Sequence, residues 1–370
     1  MQKKLIALAV AAVTSGAAFA QSNVTIYGNV DMGVMFRQGS NGAVASGQSQ
    51  YDLQSAASQS HIGFKGVEDL GNGLKALFDL QYRISPDTNT GLASAGHQYV
   101  GVTGGFGTAV AGYLDGIRYG IYGKYSPFGN YSVASLTSMT TQYDRAANAI
   151  AYISPAFSGF TVILATATNT QGAEGSLNTS HSVATRSPLG GNTGDDRLLS
   201  ANLIYANGPL SIDLDYETTR AVGYDSDRLY VATVGASYDF GVVKVSGVYD
   251  VIKGDVNSFI GGNVAGAAFG LAADQKYDRR NWFIGASAPV GKFKVLGMFG
   301  QVKDKTLTDR DAWKVGLGAR YALSKRTELY ADYAHIKNDT NAAYTINPMG
   351  NSSGTSAGIN GLAIGMKHSF

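Results

Sequence analysis

Sixteen short stretches of alternating apolar and polar residues, joined by connections that are short and long in turn, leave few folds open to this chain. In the first, residues 24–36, Val24, Ile26, Val30, Met32, Val34 and Phe36 share one face. Thr25, Tyr27, Asn29 and Asp31 lie on the other, followed in the same parity by Arg37. Period two over this length predicts a strand with one apolar and one polar side, longer than the common ~5–6 residues. The pattern recurs at 61–67, 74–82, 98–103, 108–114, 145–153, 160–167, 198–205, 210–217, 229–238, 242–251, 281–288, 293–302, 312–321, 327–336 and 361–370. Short turns such as Asp69-Leu70-Gly71-Asn72-Gly73 and Asn207-Gly208-Pro209 alternate with long polar loops at 113–145, 168–196, 253–280 and 337–360.

An even number of ~10-residue alternating segments, with short turns at one end and long loops at the other, is the pattern of an outer-membrane barrel. After residue 20 no apolar run approaches the ~18 residues a membrane helix needs, and only closed barrels otherwise satisfy backbone hydrogen bonds in lipid. The expected fold is all-β, a 16-stranded antiparallel transmembrane β-barrel. Composition agrees: charged residues are 15% against a usual ~25%, and Gly and Tyr number 48 and 22. Tyr205, Tyr216, Tyr230, Tyr238, Tyr249, Trp282, Trp313, Tyr321, Tyr333 and Phe370 fall near strand ends on the apolar side, where membrane-interface girdles belong.

Residues 1–20 read as a secretory signal peptide: basic Lys3 and Lys4, an apolar run over 5–15, and Ala18-Phe19-Ala20 before Gln21. Without Lys3 and Lys4 the 29 basic residues become 27, matching 27 acidic ones, so a nucleic-acid partner is not expected. With no cysteine, disulfides contribute nothing. Residues 21–370 are read as one barrel domain in the outer membrane.

Several runs resemble the trimeric general-diffusion porins of Gram-negative bacteria, in their beta-proteobacterial and neisserial branch. They are Val24-Thr25-Ile26-Tyr27-Gly28, the hairpin from Ile62-Gly63-Phe64-Lys65-Gly66-Val67-Glu68-Asp69-Leu70-Gly71-Asn72-Gly73 to Leu74-Lys75-Ala76, Ser154-Pro155 with Phe157-Ser158-Gly159-Phe160, and Tyr205-Ala206-Asn207-Gly208-Pro209-Leu210. Phe370, ending an alternating strand with Leu362, Ile364, Met366 and His368, resembles the signal read by the barrel assembly machinery. The resemblance implies a homotrimer in outer-membrane lipid and lipopolysaccharide, passing small hydrophilic solutes and ions. It also implies a third external loop, here within 113–145, folded into the lumen. The chain departs from the family in carrying His61, His97 and Tyr113 where Arg is usual, and in lacking an acid at Pro127-Phe128-Gly129.

Sixteen strands enclose water rather than side chains, so radius and lining charge set selectivity. Parity and resemblance place Arg37, His61, Lys65, Arg83, His97 and Arg145 at the constriction wall. On the loop, Asp115 and Asp144 are expected to balance Arg118 and Lys124. A basic wall facing an acid-poor loop predicts weak anion preference. His61 and His97 are candidates for titration near neutrality. Asp213, Asp215 and Glu217 read as a solvated wall, with a divalent-cation site as the alternative. Tyr119, Tyr122, Tyr125 and Tyr131 make a substrate-specific channel with an aromatic-lined constriction the rival reading, and adhesion through the long loops a third. Gly350-Asn351-Ser352-Ser353-Gly354 matches a hydrolase pattern without its strand–turn–helix setting, and neither a cofactor, a metal nor an enzymatic activity is expected.

Overall fold

The computed structural model describes residues 23–44, 49–88, 91–140, 145–168, 197–220, 228–255, 276–306, 310–346 and 358–370. The leader at 1–20, Asp144, the hydrolase-like run at 350–354, most of the loops at 168–196 and 253–280, and residues 347–357 of the loop at 337–360 lie outside them. The strands are β1 (Asn23–Gln38), β2 (Gln50–Gln54), β3 (His61–Gly71), β4 (Leu74–Ile84), β5 (Leu92–Gly104), β6 (Gly107–Asp115), β7 (Arg145–Ile153), β8 (Phe160–Thr168) and β9 (Arg197–Asn207). They continue as β10 (Leu210–Arg220), β11 (Leu229–Asp239), β12 (Lys244–Asp255), β13 (Lys276–Val290), β14 (Phe293–Asp304), β15 (Ala312–Ala322), β16 (Thr327–Asn338) and β17 (Asn360–Ser369).

Each strand from β3 onward pairs antiparallel with the next, and β17 returns to β1 with Asn29 opposite Ser369 and Gln38 opposite Asn360. The sheet is closed. Gly28 and Phe370 exchange backbone hydrogen bonds of 3.3 and 3.1 Å, so the last residue finishes the seam. Sixteen strands form the wall, and the short β2 pairs with the loop end of β1 (Arg37 opposite Gln50) while β3 pairs with its turn end. The second wall strand is therefore split.

The split has a local cause. Asp31, fully buried in β1, accepts from the backbone N–H groups of Ala56 (3.0 Å) and Ser58 (2.9 Å), from Ser58 Oγ (3.1 Å) and from Tyr330 Oη (2.7 Å). A buried carboxylate needs several donors, and residues 55–60 leave the ladder to supply them. Asp31 is therefore not the solvated wall charge that strand parity alone suggests.

Exposure alternates along the strands as the sequence does. Outward residues include Leu214, Tyr216, Val234, Tyr249 and Ile284, while Asp213, Asp215, Thr233, Asp250 and Asn281 between them are buried. Aromatic pairs gather at the turn end, Phe160–Tyr205, Tyr238–Phe240 and Phe293–Tyr321, at centroid distances of 4.7, 4.6 and 4.8 Å. A second set gathers toward the loop end, with Tyr216–Tyr230 at 6.3 Å and Trp282–Phe299–Trp313 at 5.6 and 5.9 Å. The outward faces of β17, β1 and β5 are mainly aliphatic, with Leu362, Ile364, Val24, Ile26, Val100 and Val102, and carry Phe36 and Phe370 as their exposed aromatics.

Candidate functional site

Between β6 and β7, residues 116–140 form the helix α1 (Ile117–Tyr125) and a 3-10 turn (Leu136–Met139). A nine-residue helix with two internal glycines would not persist alone. Its contacts hold it. Arg118, Ile121, Tyr122 and Tyr125, spaced i, i+3, i+4 and i+7, make one buried stripe. Pro127 follows the cap residue Ser126, whose N–H donates to Tyr122 O at 2.9 Å, and a residue before proline leaves the helical region.

The stripe meets acids on the face of β10 and β12 turned away from the aromatic belts. Asp250, fully buried, accepts from both Arg118 Nε (3.0 Å) and Nη2, from Tyr122 Oη (2.5 Å) and from Asn281 Nδ2 (2.7 Å). Asp213 accepts from Lys124 Nζ (2.5 Å) and Tyr125 Oη. Farther along, Ser132 Oγ donates to Asp332 at 2.7 Å, and Arg320 Nη1 and Nη2 donate to the same carboxylate. Buried Lys314 donates to Ser135 O (2.5 Å) and to Ser138 Oγ (3.0 Å). Burial opposes the Arg118 charge, but Asp250 together with Tyr122 and Glu217 outweighs it and the guanidinium pKa is raised. Burial, then Asp250, holds the Tyr122 phenol well above its usual range.

Apolar contacts follow the same path. Ile121, Tyr122, Phe128, Val133, Ala134, Leu136 and Met139 form one buried cluster with Val248, Phe283, Leu296, Met298, Val302 and Ala312 of β12–β15. Glycines make room. A Cβ on Gly235 would lie 2.8 Å from Ile121, on Gly285 2.6 Å from Pro127, on Gly300 2.9 Å from Leu136, and on Gly316 2.7 Å from Ala134. A Cβ on Gly318 would lie 2.6 Å from Phe128.

The expected site residues therefore separate into three places. His61, Lys65, Arg83, His97, Asp115 and Arg145 come together on β3–β7, across the pairs His61–Arg83, Lys65–Asp79 and Asp115–Arg145. Arg37 stands apart, 4% exposed and paired with Asp52. Arg118 and Lys124 do not balance Asp115 as expected; they neutralise Asp250 and Asp213 on the far wall. Arg118, at 1% exposure, is an anchor rather than a lining charge. Asp213, Asp215 and Glu217 are buried and engaged, by Lys124, Ser200 and the Arg118 N–H respectively, so they are not a solvated wall. Among the described residues no cluster of three His, Cys, Asp or Glu is spaced to hold a metal ion. Tyr122 and Tyr125 point into the acids, leaving Tyr119 and Tyr131, joined at 3.1 Å, as the partly exposed loop aromatics.

The family model described as Gram-negative porin matches residues 7–341. The chain belongs to that family. Outer membrane porin protein 32 of Delftia acidovorans is 32% identical over the full length of both chains. An outer membrane porin protein of Bordetella pertussis is 28% identical, over 91% of this chain and 95% of that one. The solved structure of an anion-selective porin from Comamonas acidovorans superposes with a TM-score of 0.71 at 29% identity, covering 95% of this porin and 100% of that chain. The porin's closed barrel and these relatives place it in the outer membrane as a channel, and the family's members are channels rather than enzymes.

Proposed function

We propose that residues 116–140 are the loop that narrows the lumen, and that the patch on β3–β7 gives the open passage a weak preference for anions. The carrying observation is the destination of the charges. The loop's cations Arg118 and Lys124 are spent on Asp250 and Asp213, and opposite, among the described residues of β3–β7, Lys65, Arg83 and Arg145 stand with Asp79 and Asp115. Three permanent cations facing two carboxylates in confined water raise local anion concentration, less so in high salt. The Comamonas porin, described as anion-selective, supports the same sign. Reversal potentials across a planar bilayer in a KCl gradient test it: anion preference that weakens as total salt rises is expected, and cation preference would overturn the reading. The burial of Tyr122 and Tyr125 weighs against an aromatic slide for one substrate.

Under this reading the solutes are small, hydrophilic and unselected beyond size and charge, and they move down their gradients. The mainly aliphatic faces of β17, β1 and β5, beside denser aromatic belts elsewhere, support a homotrimer packed through those strands. The remaining outward surface meets lipid and lipopolysaccharide. Phe370, exposed at the seam, is offered as the residue read by the barrel assembly machinery. Residues 1–20 are proposed as a cleaved leader, and N-terminal sequencing of the exported chain should begin at Gln21.

A further inference from the structure

The patch on β3–β7 contains two side chains, His61 and His97, whose charge the formula of the chain leaves open, and the surroundings of His97 decide its own. His97 sits where two strands depart from regular pairing. Opposite it, the β4–β5 register shifts between Leu80 and Tyr82, and beside it the β6–β7 register shifts between Gly112 and Leu114. Such bulges re-aim side chains. Here they set the imidazole, 15% exposed, between carboxylates of two different strands.

Both ring nitrogens face acceptors. Nδ1 lies 2.9 Å from Asp115 Oδ2. Nε2 lies 3.4 Å from Asp79 Oδ2 and 3.3 Å from Tyr27 Oη. The Tyr27 proton is committed, because its hydroxyl donates to Asp79 Oδ1 at 2.6 Å, so toward His97 that oxygen presents a lone pair. A neutral imidazole has one N–H and one lone pair, and either tautomer here would aim the lone pair at an acceptor. Only the imidazolium offers a proton to both sides.

We infer that His97 is a fixed cation of the constriction wall and a determinant of its selectivity. The inference rests on the anion preference proposed above. Around it stand Lys65 and His61 from β3, Asp79 and Arg83 from β4, Tyr99 on its own strand, Asp115 from β6, Arg145 from β7 (2.9 Å from Asp115) and Tyr27 from β1. Counting the permanent charges of these described residues, Lys65, Arg83 and Arg145 exceed Asp79 and Asp115 by one. Protonated His97 doubles that excess. Without it the excess returns to a single charge, and the field offered to an entering anion falls by half.

The test uses reversal potentials of the full-length channel in a KCl gradient, with His61→Gln as background so that His97 is the histidine read in the patch. In that background the anion-to-cation permeability ratio should stay level from about pH 6 to pH 8, the interval in which an unpaired imidazole loses its charge. His97→Gln should lower the ratio two-fold or more, and His97→Arg should keep it. A ratio unchanged in His97→Gln, or one that falls through pH 6–8 with His97 present and not with Arg in its place, would overturn the inference. If the wild-type channel shows no anion preference at all, the proposed function fails first. Unchanged single-channel conductance in His97→Arg would show that the constriction has kept its size.

Discussion

Asp250 ties the segment after β6 to the wall at β12. Four donors from three side chains converge on a carboxylate without solvent contact, and two of those side chains, Arg118 and Tyr122, belong to the segment after β6. Removing one partner of a buried ion pair costs about 3–5 kcal/mol, because the other charge stays behind unmatched. Asp250→Asn should therefore shift the balance between held and released loop by roughly two to three and a half powers of ten, at about 1.4 kcal/mol for each. Single-channel recordings should show higher mean conductance and more current noise than wild type. Tyr122→Phe removes one hydrogen bond to a charged group, worth about 1.5–3 kcal/mol, and should produce a milder version of the same change. Quiet currents of wild-type size from Asp250→Asn would contradict the anchoring role.

The loop is seated by shape as well as charge, and the two signals differed in how readable they were. Sequence marks 113–145 as too long for an ordinary connection, yet its polar, Tyr- and Gly-rich character hides the i, i+3, i+4, i+7 stripe of Arg118, Ile121, Tyr122 and Tyr125. The wall's share was hidden too. Gly235, Gly285, Gly300, Gly316 and Gly318 look like weak points in strands, and only the folded chain shows each lying under a loop side chain. The acids at 213, 215 and 217 read as wall charges because period two sorts residues by face and says nothing about what covers that face. Gly285→Ala should push against the Pro127 ring and raise conductance or noise. Adding Pro127→Ala should bring the current back toward wild type, and a double variant no better than Gly285→Ala would show that the contact does not position the loop.

The barrel itself was plain from the sequence, because closure demands alternation, even strand number and short turns on one side, and each leaves a local mark. The split second strand was not, since the pull of Asp31 on residues 55–60 is a tertiary effect. Assembly belongs to the outer surface. Val100 is 61% exposed on the aliphatic side of the barrel and Leu214 is 45% exposed on the aromatic-belted side. Val100→Trp should weaken the proposed trimer on a seminative gel, whereas Leu214→Trp, outside the proposed interface, should leave it intact. Equal effects would refute an interface on β17, β1 and β5. Across the whole channel, the segment 116–140 packs on β10–β15, and the proposed function leaves the patch on β3–β7 as the side that passing ions meet. The chain has no cysteine, so one introduced thiol can report on either wall. A negatively charged methanethiosulfonate added to single channels should cut the current in steps when Cys replaces Lys65. It should do nothing when Cys replaces Val248, which lies 2% exposed beneath the loop. Rapid modification at position 248 with none at 65 would contradict this division of the lumen.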